Sequence, residues 1–485
     1  MTKQLRRLSV VVLFMFVSLL VATSWIQVGI AGQLAENTEN RRTLYDSYEV
    51  QRGTIFAGST AIATSEPSDD LYSWIRTYPD AEMWAPVTGF INPVLRSSTG
   101  LEQAMNAALA GSGSQQFLTR LDQIVSGQPP RGSNVLLSLD PAVQKVAYDS
   151  LDGLEGAVVA MEPDTGRILA LATSPSYDTN QLASHNSSAV NSAYQGLVDD
   201  PLDPLFNRAI GGALDPPGST FKLVMVATAL SSGEYTPEST FDNPATFRLP
   251  GTDNILHNFD RGTCGPGETV TLETALRLSC NIPMAELALE LGDDAIREQA
   301  QKFGFNSGFE IPLDVTASIY PEQLDEPQTA LSGIGQSDVQ ATPLQMAMVS
   351  AAIANGGIVM NPRMVDRVVA SDLTVQDEPA DTQFGEAMSA ENAATLTQLM
   401  IGNVENGAAS GARIDGVDVA GKTGTAEHNP GDPYTLWFTG FAPAENPEVV
   451  VAVMVQNGGG LGQDGTSNGI AAPIAKRVIE AVLSE

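Results

Sequence analysis

Residues 8–28 are almost all Val, Leu, Phe, Met and other uncharged residues, a run long enough to cross the roughly 30 Å hydrocarbon core of a bilayer as one helix. Lys3, Arg6 and Arg7 stand before it, and the next charged residue is Glu36. This asymmetry predicts an N-terminus in the cytoplasm and the bulk of the chain outside. A cleaved signal sequence normally carries a shorter apolar stretch, about 7–15 residues, so an uncleaved anchor is expected. No second run of this kind follows, which predicts a single-pass protein.

From the anchor to about residue 135 the texture is mixed: Arg52-Gly53-Thr54-Ile55, an aromatic and proline segment over 71–93, and a Gly/Ser-rich patch at 111–114. Pro129-Pro130-Arg131-Gly132-Ser133 reads as a linker, because these residues favour turns and extended chain. After it, Asp140-Pro141 predicts a helix start, with a capping acid and proline at the first helical position. Residues 156–161 read as a buried strand, Pro163-Asp164-Thr165-Gly166 as a turn and 168–172 as the returning strand. Residues 436–442 and 449–455 form another apolar pair across a turn at 443–447, and 470–483 has helical apolar spacing. The pattern predicts an α+β fold, with an antiparallel sheet built from both ends of this region and helices between.

At 485 residues the chain is too long for one core, and its length points to about three domains. Its 57 acidic and 25 basic residues give a net charge of −32, which argues against nucleic acid as a partner. Three histidines and two cysteines without paired ligand spacing leave little for a metal site, and no cofactor is expected.

Pro217-Gly218-Ser219-Thr220-Phe221-Lys222 opens an apolar helical stretch and carries the most telling chemistry. Residues three apart share a helix face, so a Lys222 amine kept neutral by burial can take the proton of Ser219 and make it a nucleophile. Ser279-Cys280-Asn281 and Lys422-Thr423-Gly424-Thr425 follow in order. Singly, each has a plain structural alternative: a helix-start serine beside a solvated lysine, a helix-to-loop turn held by local hydrogen bonds, a surface strand end. Met346 and its neighbours read as core packing at helical spacing.

The three motifs in this order resemble those of serine penicillin-recognising enzymes. Together with Asn207-Arg208-Ala209, Gly333-Ile334-Gly335-Gln336, Thr342-Pro343-Leu344-Gln345-Met346-Ala347 and Trp437-Phe438-Thr439-Gly440-Phe441, the chain resembles a class B penicillin-binding protein, most of all the penicillin-binding protein A group of actinobacteria. The resemblance implies a cytoplasmic tail (1–7), a transmembrane anchor (8–30), an elongated non-catalytic pedestal (31–135) and a transpeptidase domain with a five-stranded, β-lactamase-like sheet (136–485). It also implies cross-linking of peptidoglycan stem peptides ending in D-Ala-D-Ala, inhibition by β-lactams, and a role in wall synthesis and cell division at the cytoplasmic membrane. A glycosyltransferase and divisome proteins are the implied partners.

By the same resemblance, Ser219 attacks the D-alanyl carbonyl and Lys222 is its base. Ser279 and Lys422 relay the proton to the departing D-alanine, and Asn281 holds the peptide backbone. The Lys422-Thr423-Gly424 strand takes the substrate as an added strand, with the Thr423 and Thr425 hydroxyls on its carboxylate and Gly424 admitting its backbone. The Ser219 and Thr425 backbone N–H groups form the oxyanion hole.

Cys280 stands at the middle of the second motif, and Cys264 is the only other cysteine. Outside the membrane such a pair often forms a disulfide; the alternative is two buried thiols acting as small hydrophobes. Two other functions fit the motifs: a D,D-carboxypeptidase or β-lactamase, and a catalytically silent β-lactam sensor or scaffold. No Glu-x-x-Leu-Asn run follows Asn281 to supply the deacylating glutamate of class A β-lactamases, and every polar residue expected of the active site is present.

Overall fold

The computed structural model describes residues 2–30, 48, 50–112, 131–212 and 214–484. Pro129 and Pro130 of the expected linker, and the end of the Gly/Ser patch, lie outside these. The N-terminal run is an α-helix, Thr2–Ser24, continued by a π-helical turn, Trp25–Gly29. Among the described residues, Lys3–Gln27 is the one stretch long and apolar enough to cross a membrane. Leu8, Phe14, Phe16 and Leu20 are all exposed on it, as lipid-facing side chains would be.

The C-terminal region is built on a five-stranded antiparallel sheet in the order Ala420–Ala426, Thr435–Ala442, Val449–Val455, Gly156–Met161, Ile168–Ser174. Both ends of the region contribute, as the apolar pattern predicts. Val449–Val455 is buried at every position because helices cover both faces of the sheet. On one face Val143 and Ala147 of helix Pro141–Leu151 and Ile474 and Val478 of helix Ala471–Leu483 pack on Val158, Val451 and Val453. On the other, Leu344, Met346 and Val349 of helix Pro343–Ala354 pack against Val159, Ala452 and Trp437. The Asp140 side chain caps the first of these helices, accepting from the N–H groups of Ala142 (2.7 Å) and Val143 (3.0 Å).

The N-terminal region shares a second sheet with the rest of the chain. This six-stranded sheet runs Val375–Asp377, Val365–Val369, Asn134–Leu137, Ile55–Ala57, Thr60–Pro67, Trp74–Thr77. Two of these strands come from deep within the C-terminal region, and Asn134–Leu137 pairs with strands of both origins. The two regions are thus sewn together by a shared strand at the expected boundary. Glu102, fully buried, accepts from Nε of Arg52 (2.9 Å) and of Arg76 (2.5 Å). In the Arg52-Gly53 pair, a Cβ on Gly53 would meet the Ser133 carbonyl oxygen at 1.8 Å, so the glycine is required by chain packing.

Candidate active site

Ser219 sits in a 3-10 turn, Gly218–Phe221, that runs directly into helix Lys222–Ser232. That helix is buried from Lys222 to Leu230, which fixes the turn at the edge of the sheet. Two glycines set the contact. Gly218 has φ +53, and a Cβ there would meet the Thr425 carbonyl oxygen at 2.6 Å; a Cβ on Gly424 would meet Pro217 O at 2.7 Å and Thr220 N at 2.8 Å. The nucleophile turn and edge strand Ala420–Ala426 therefore touch backbone to backbone. The close approach at Gly424 is made here by the protein's own chain.

Lys222 is completely buried, and its Nζ donates to Ser279 O (2.7 Å), Cys280 O (2.9 Å) and Asn281 Oδ1 (2.8 Å). Its three ammonium protons thus point at the second motif and not at Ser219. Burial, and then the charge of Lys422, lower its pKa well below the ordinary lysine range. A neutral amine keeps two N–H bonds and gains a lone pair, so deprotonation releases one of these contacts and makes Nζ an acceptor for the Ser219 proton. Lys422 is also fully buried; its Nζ donates to Ser279 Oγ and to Thr423 O, each at 2.7 Å. Burial lowers its pKa to about 7.

Ser279 follows helix Leu272–Arg277 and adopts φ 60, the left-handed region. The turn is held from behind: Cys280 N donates to Ala275 O (2.9 Å), and Cys280 is disulfide-bonded to Cys264, with Cα atoms 5.7 Å apart. Of the two readings of these cysteines, the bonded one holds. Asn258 Oδ1 accepts from the N–H groups of Asn281 (2.8 Å) and Ile282 (3.1 Å), and Asn281 Nδ2 donates to His257 O (3.0 Å). The amide expected to bind the peptide is shared here between Lys222 and the 257–258 loop.

The two threonines of the third motif behave differently. Thr423 is buried and its hydroxyl donates to Ala408 O (3.2 Å), while Thr425 is half-buried and its hydroxyl lies 3.0 Å from Ser467 Oγ. The structure gathers Lys222, Ser279, Asn281 and Lys422 into one hydrogen-bonded group beside the Ser219 turn, with Gly424 against that turn and Thr423 and Thr425 on one face of the same strand.

Other residues of the site escaped the sequence pattern. Asp215, just ahead of the nucleophile turn, is buried and accepts from Thr435 Oγ1 (3.0 Å) and Gln456 Nε2 (2.7 Å). Arg208 Nε donates to the same Gln456 (3.2 Å), so the Asn207-Arg208-Ala209 motif is tied to the nucleophile turn through the sheet. Burial raises the pKa of Asp215, against the lowering effect of these hydrogen bonds. An acid beside Pro216-Pro217 could have drawn notice; Asn258 and Ser467 carry no local signal. Among the described residues no group of three or more His, Cys, Asp or Glu could hold a metal ion.

Residues 156–480 match the penicillin binding protein transpeptidase domain, and residues 52–135 match the penicillin binding protein A dimerisation domain. The chain belongs to the penicillin-binding protein transpeptidase family. It is 42% identical over 494 residues to the peptidoglycan D,D-transpeptidase PbpA of Mycolicibacterium smegmatis, covering 100% of both chains. The PbpA of Mycobacterium tuberculosis is also 42% identical, over 492 residues, with 100% of this chain and 99% of the relative covered. The fold superimposes on penicillin-binding protein A from M. tuberculosis with a TM-score of 0.87 for the ceftriaxone acyl-enzyme (41% identity, 90% of this chain and 99% of that one). For the penicillin G acyl-enzyme the TM-score is 0.85 (41% identity, 90% and 100%). In this penicillin-binding protein the middle position of Ser279-Cys280-Asn281, aspartate in the Ser-Asp-Asn form of the motif, is a disulfide-bonded cysteine.

Proposed function

We propose that this penicillin-binding protein is a peptidoglycan D,D-transpeptidase whose acyl-enzyme forms on Ser219. One observation carries the reading: two fully buried lysines, Lys222 and Lys422, converge on Ser279 beside the nucleophile turn. Among the described residues neither is paired with a carboxylate, so burial favours their neutral forms and gives the site bases able to work near neutral pH.

Lys222 takes the proton as Ser219 Oγ attacks the carbonyl between the two D-alanines. Lys422 and Ser279, already hydrogen-bonded, pass a proton to the departing amine. An amine of a neighbouring stem then attacks the ester, its own proton leaving by the same lysines. The N–H groups of Ser219 and Thr425 hold the oxyanion, each worth roughly 3–4 kcal/mol. The substrate lies along the free edge of Ala420–Ala426 with its carboxylate at Thr425. Of the two threonines, Thr425 is the better placed for this, because it is half-buried whereas Thr423 is buried.

The membrane helix anchors the enzyme in the cytoplasmic membrane, and the Lys3, Arg6 and Arg7 flank favours a cytoplasmic tail (1–7) with the pedestal (31–135) and transpeptidase domain (136–485) outside. β-Lactams acylate the same serine. A cross-linking enzyme uses glycan strands that a glycosyltransferase must supply, so such an enzyme and division proteins are the proposed partners. The test is acylation: full-length protein in detergent should be labelled by fluorescent penicillin on the peptide containing Ser219. Labelling elsewhere, or none by folded protein, contradicts the reading.

A further inference from the structure

Ser467 lies outside the three motifs, on the segment leading into helix Ala471–Leu483, and is buried at 3% exposure. Its Oγ donates to the Gly424 carbonyl at 2.5 Å and lies 3.0 Å from Thr425 Oγ1. The segment is firmly placed: Ala472 N donates to Ser467 O (2.9 Å), and the neighbouring Asn468 accepts from Gly411 N (2.6 Å) and donates to Ser410 Oγ (3.2 Å).

The protons of these hydroxyls can be assigned. A serine hydroxyl has one proton, and a carbonyl oxygen only accepts. The Ser467 proton is therefore committed to Gly424, and Thr425 is the donor in the contact between the two hydroxyls. Thr425 thus directs its single proton at Ser467 and leaves only lone pairs for the cleft. That is the wrong polarity for a carboxylate, which also only accepts.

Rotation of two hydroxyls corrects this without moving an oxygen. If Ser467 turns its proton from Gly424 O to Thr425 Oγ1, already at hydrogen-bonding distance, the Thr425 proton is free to point at the ligand. The result is a chain running Ser467 to Thr425 to carboxylate, in which each bond polarises the next and the last is charge-assisted. No proton leaves its oxygen.

We infer that Ser467 is a positioning residue that switches Thr425 from acceptor to donor when the terminal carboxylate of the substrate arrives. This rests on the proposed role of Thr425 as the hydroxyl that holds that carboxylate.

The experiment compares two thioesters on full-length protein in detergent: benzoyl-D-alanyl thioglycolate, which ends in a carboxylate, and the matching ethyl thioester, which does not. Ser467→Ala should lower acylation by the first roughly tenfold and leave the second within about twofold, which a general loosening of the site would not do. Ser467→Cys, close in size and a weak donor, should show the same selective loss and carries the test if the alanine variant does not fold. Ser467→Thr should retain the preference. Adding Ser467→Ala to Thr425→Ala should cost no further preference, since the serine acts through the threonine. Equal loss on both thioesters, or a preference unchanged by both Ser467→Ala and Ser467→Cys, overturns the inference while the role of Thr425 stands. If Thr425→Ala itself keeps the full preference, the role of Thr425 falls and the inference with it.

Discussion

Lys422 Nζ lies 2.7 Å from Ser279 Oγ, joining strand Ala420–Ala426 to the turn after helix Leu272–Arg277 across 143 residues of sequence. With Lys222 bound to the backbone of the same turn, this contact links all three motifs. It also puts two amines in one buried volume, where the charge of Lys422 makes Lys222 harder to protonate.

Ser219→Ala should abolish covalent penicillin labelling. Lys222→Ala should slow it by at least about a hundredfold, the usual range for losing a general base. Stopped-flow acylation on folded variants checks both, and a Ser219→Ala protein that still labels fully would remove the nucleophile from the account.

The pH dependence follows from the lysines. Acylation needs neutral Lys222, so its rate should rise with pH and show its inflection well below the ordinary lysine range. Stability carries a second signature. The pKa of Lys422 is about 7 in the folded protein, whereas the unfolded chain holds its proton to about 10.4. Between these values the unfolded state binds more protons, so this group makes stability rise with pH across that window and level off below about 7, where both states hold the proton. Lys422→Met should flatten that slope in thermal melts from pH 7 to 10; an unchanged slope would mean that Lys422 is not desolvated.

The three motifs were legible in the sequence because each is local: a helical turn, a turn between two helices and a stretch of one strand. Four strands of the five-stranded sheet were legible from their apolar runs, whereas the fifth, Ala420–Ala426, is not an apolar run and came with the family resemblance. The pedestal sheet was not, since Val365–Val369 pairs with Asn134–Leu137 across more than 200 residues with nothing local to mark the partner. The same holds for Ser467, whose two bonds reach residues 43 and 42 positions away. Nor was the bond from the Thr423 hydroxyl to Ala408 O legible, since it joins residues 15 positions apart with nothing local to mark it.

The Cys264–Cys280 bond closes a 16-residue separation and braces Ser279 and Asn281. Replacing both cysteines by serine should cost about 3 kcal/mol by loop-closure entropy, read by denaturant melts. Unreduced protein should be about two hydrogens lighter than reduced protein. Two freely alkylated thiols in unreduced, denatured protein would contradict the pairing.

Asp215→Ala should destabilise by about 1–3 kcal/mol, because it strips the Thr435 hydroxyl and Gln456 amide of a buried acceptor. Asp215→Asn keeps an acceptor oxygen and should cost less. Equal melting temperatures for both variants and the parent would show that these bonds do not hold the nucleophile turn.

The fate of the acyl-enzyme tests the central claim most directly. Penicillin leaves its ring remnant on Ser219, no Glu-x-x-Leu-Asn run follows Asn281 to hold a hydrolytic water, and without such positioning hydrolysis is slow. A natural stem leaves no such remnant, so an acceptor amine can reach the ester. Full-length protein should keep its penicillin label for many minutes to hours, and should consume a D-alanyl thioester faster when a D-amino acid acceptor is added. Rapid loss of label with many antibiotic molecules turned over per enzyme, and no response to the acceptor, would make the protein a hydrolase and contradict the account.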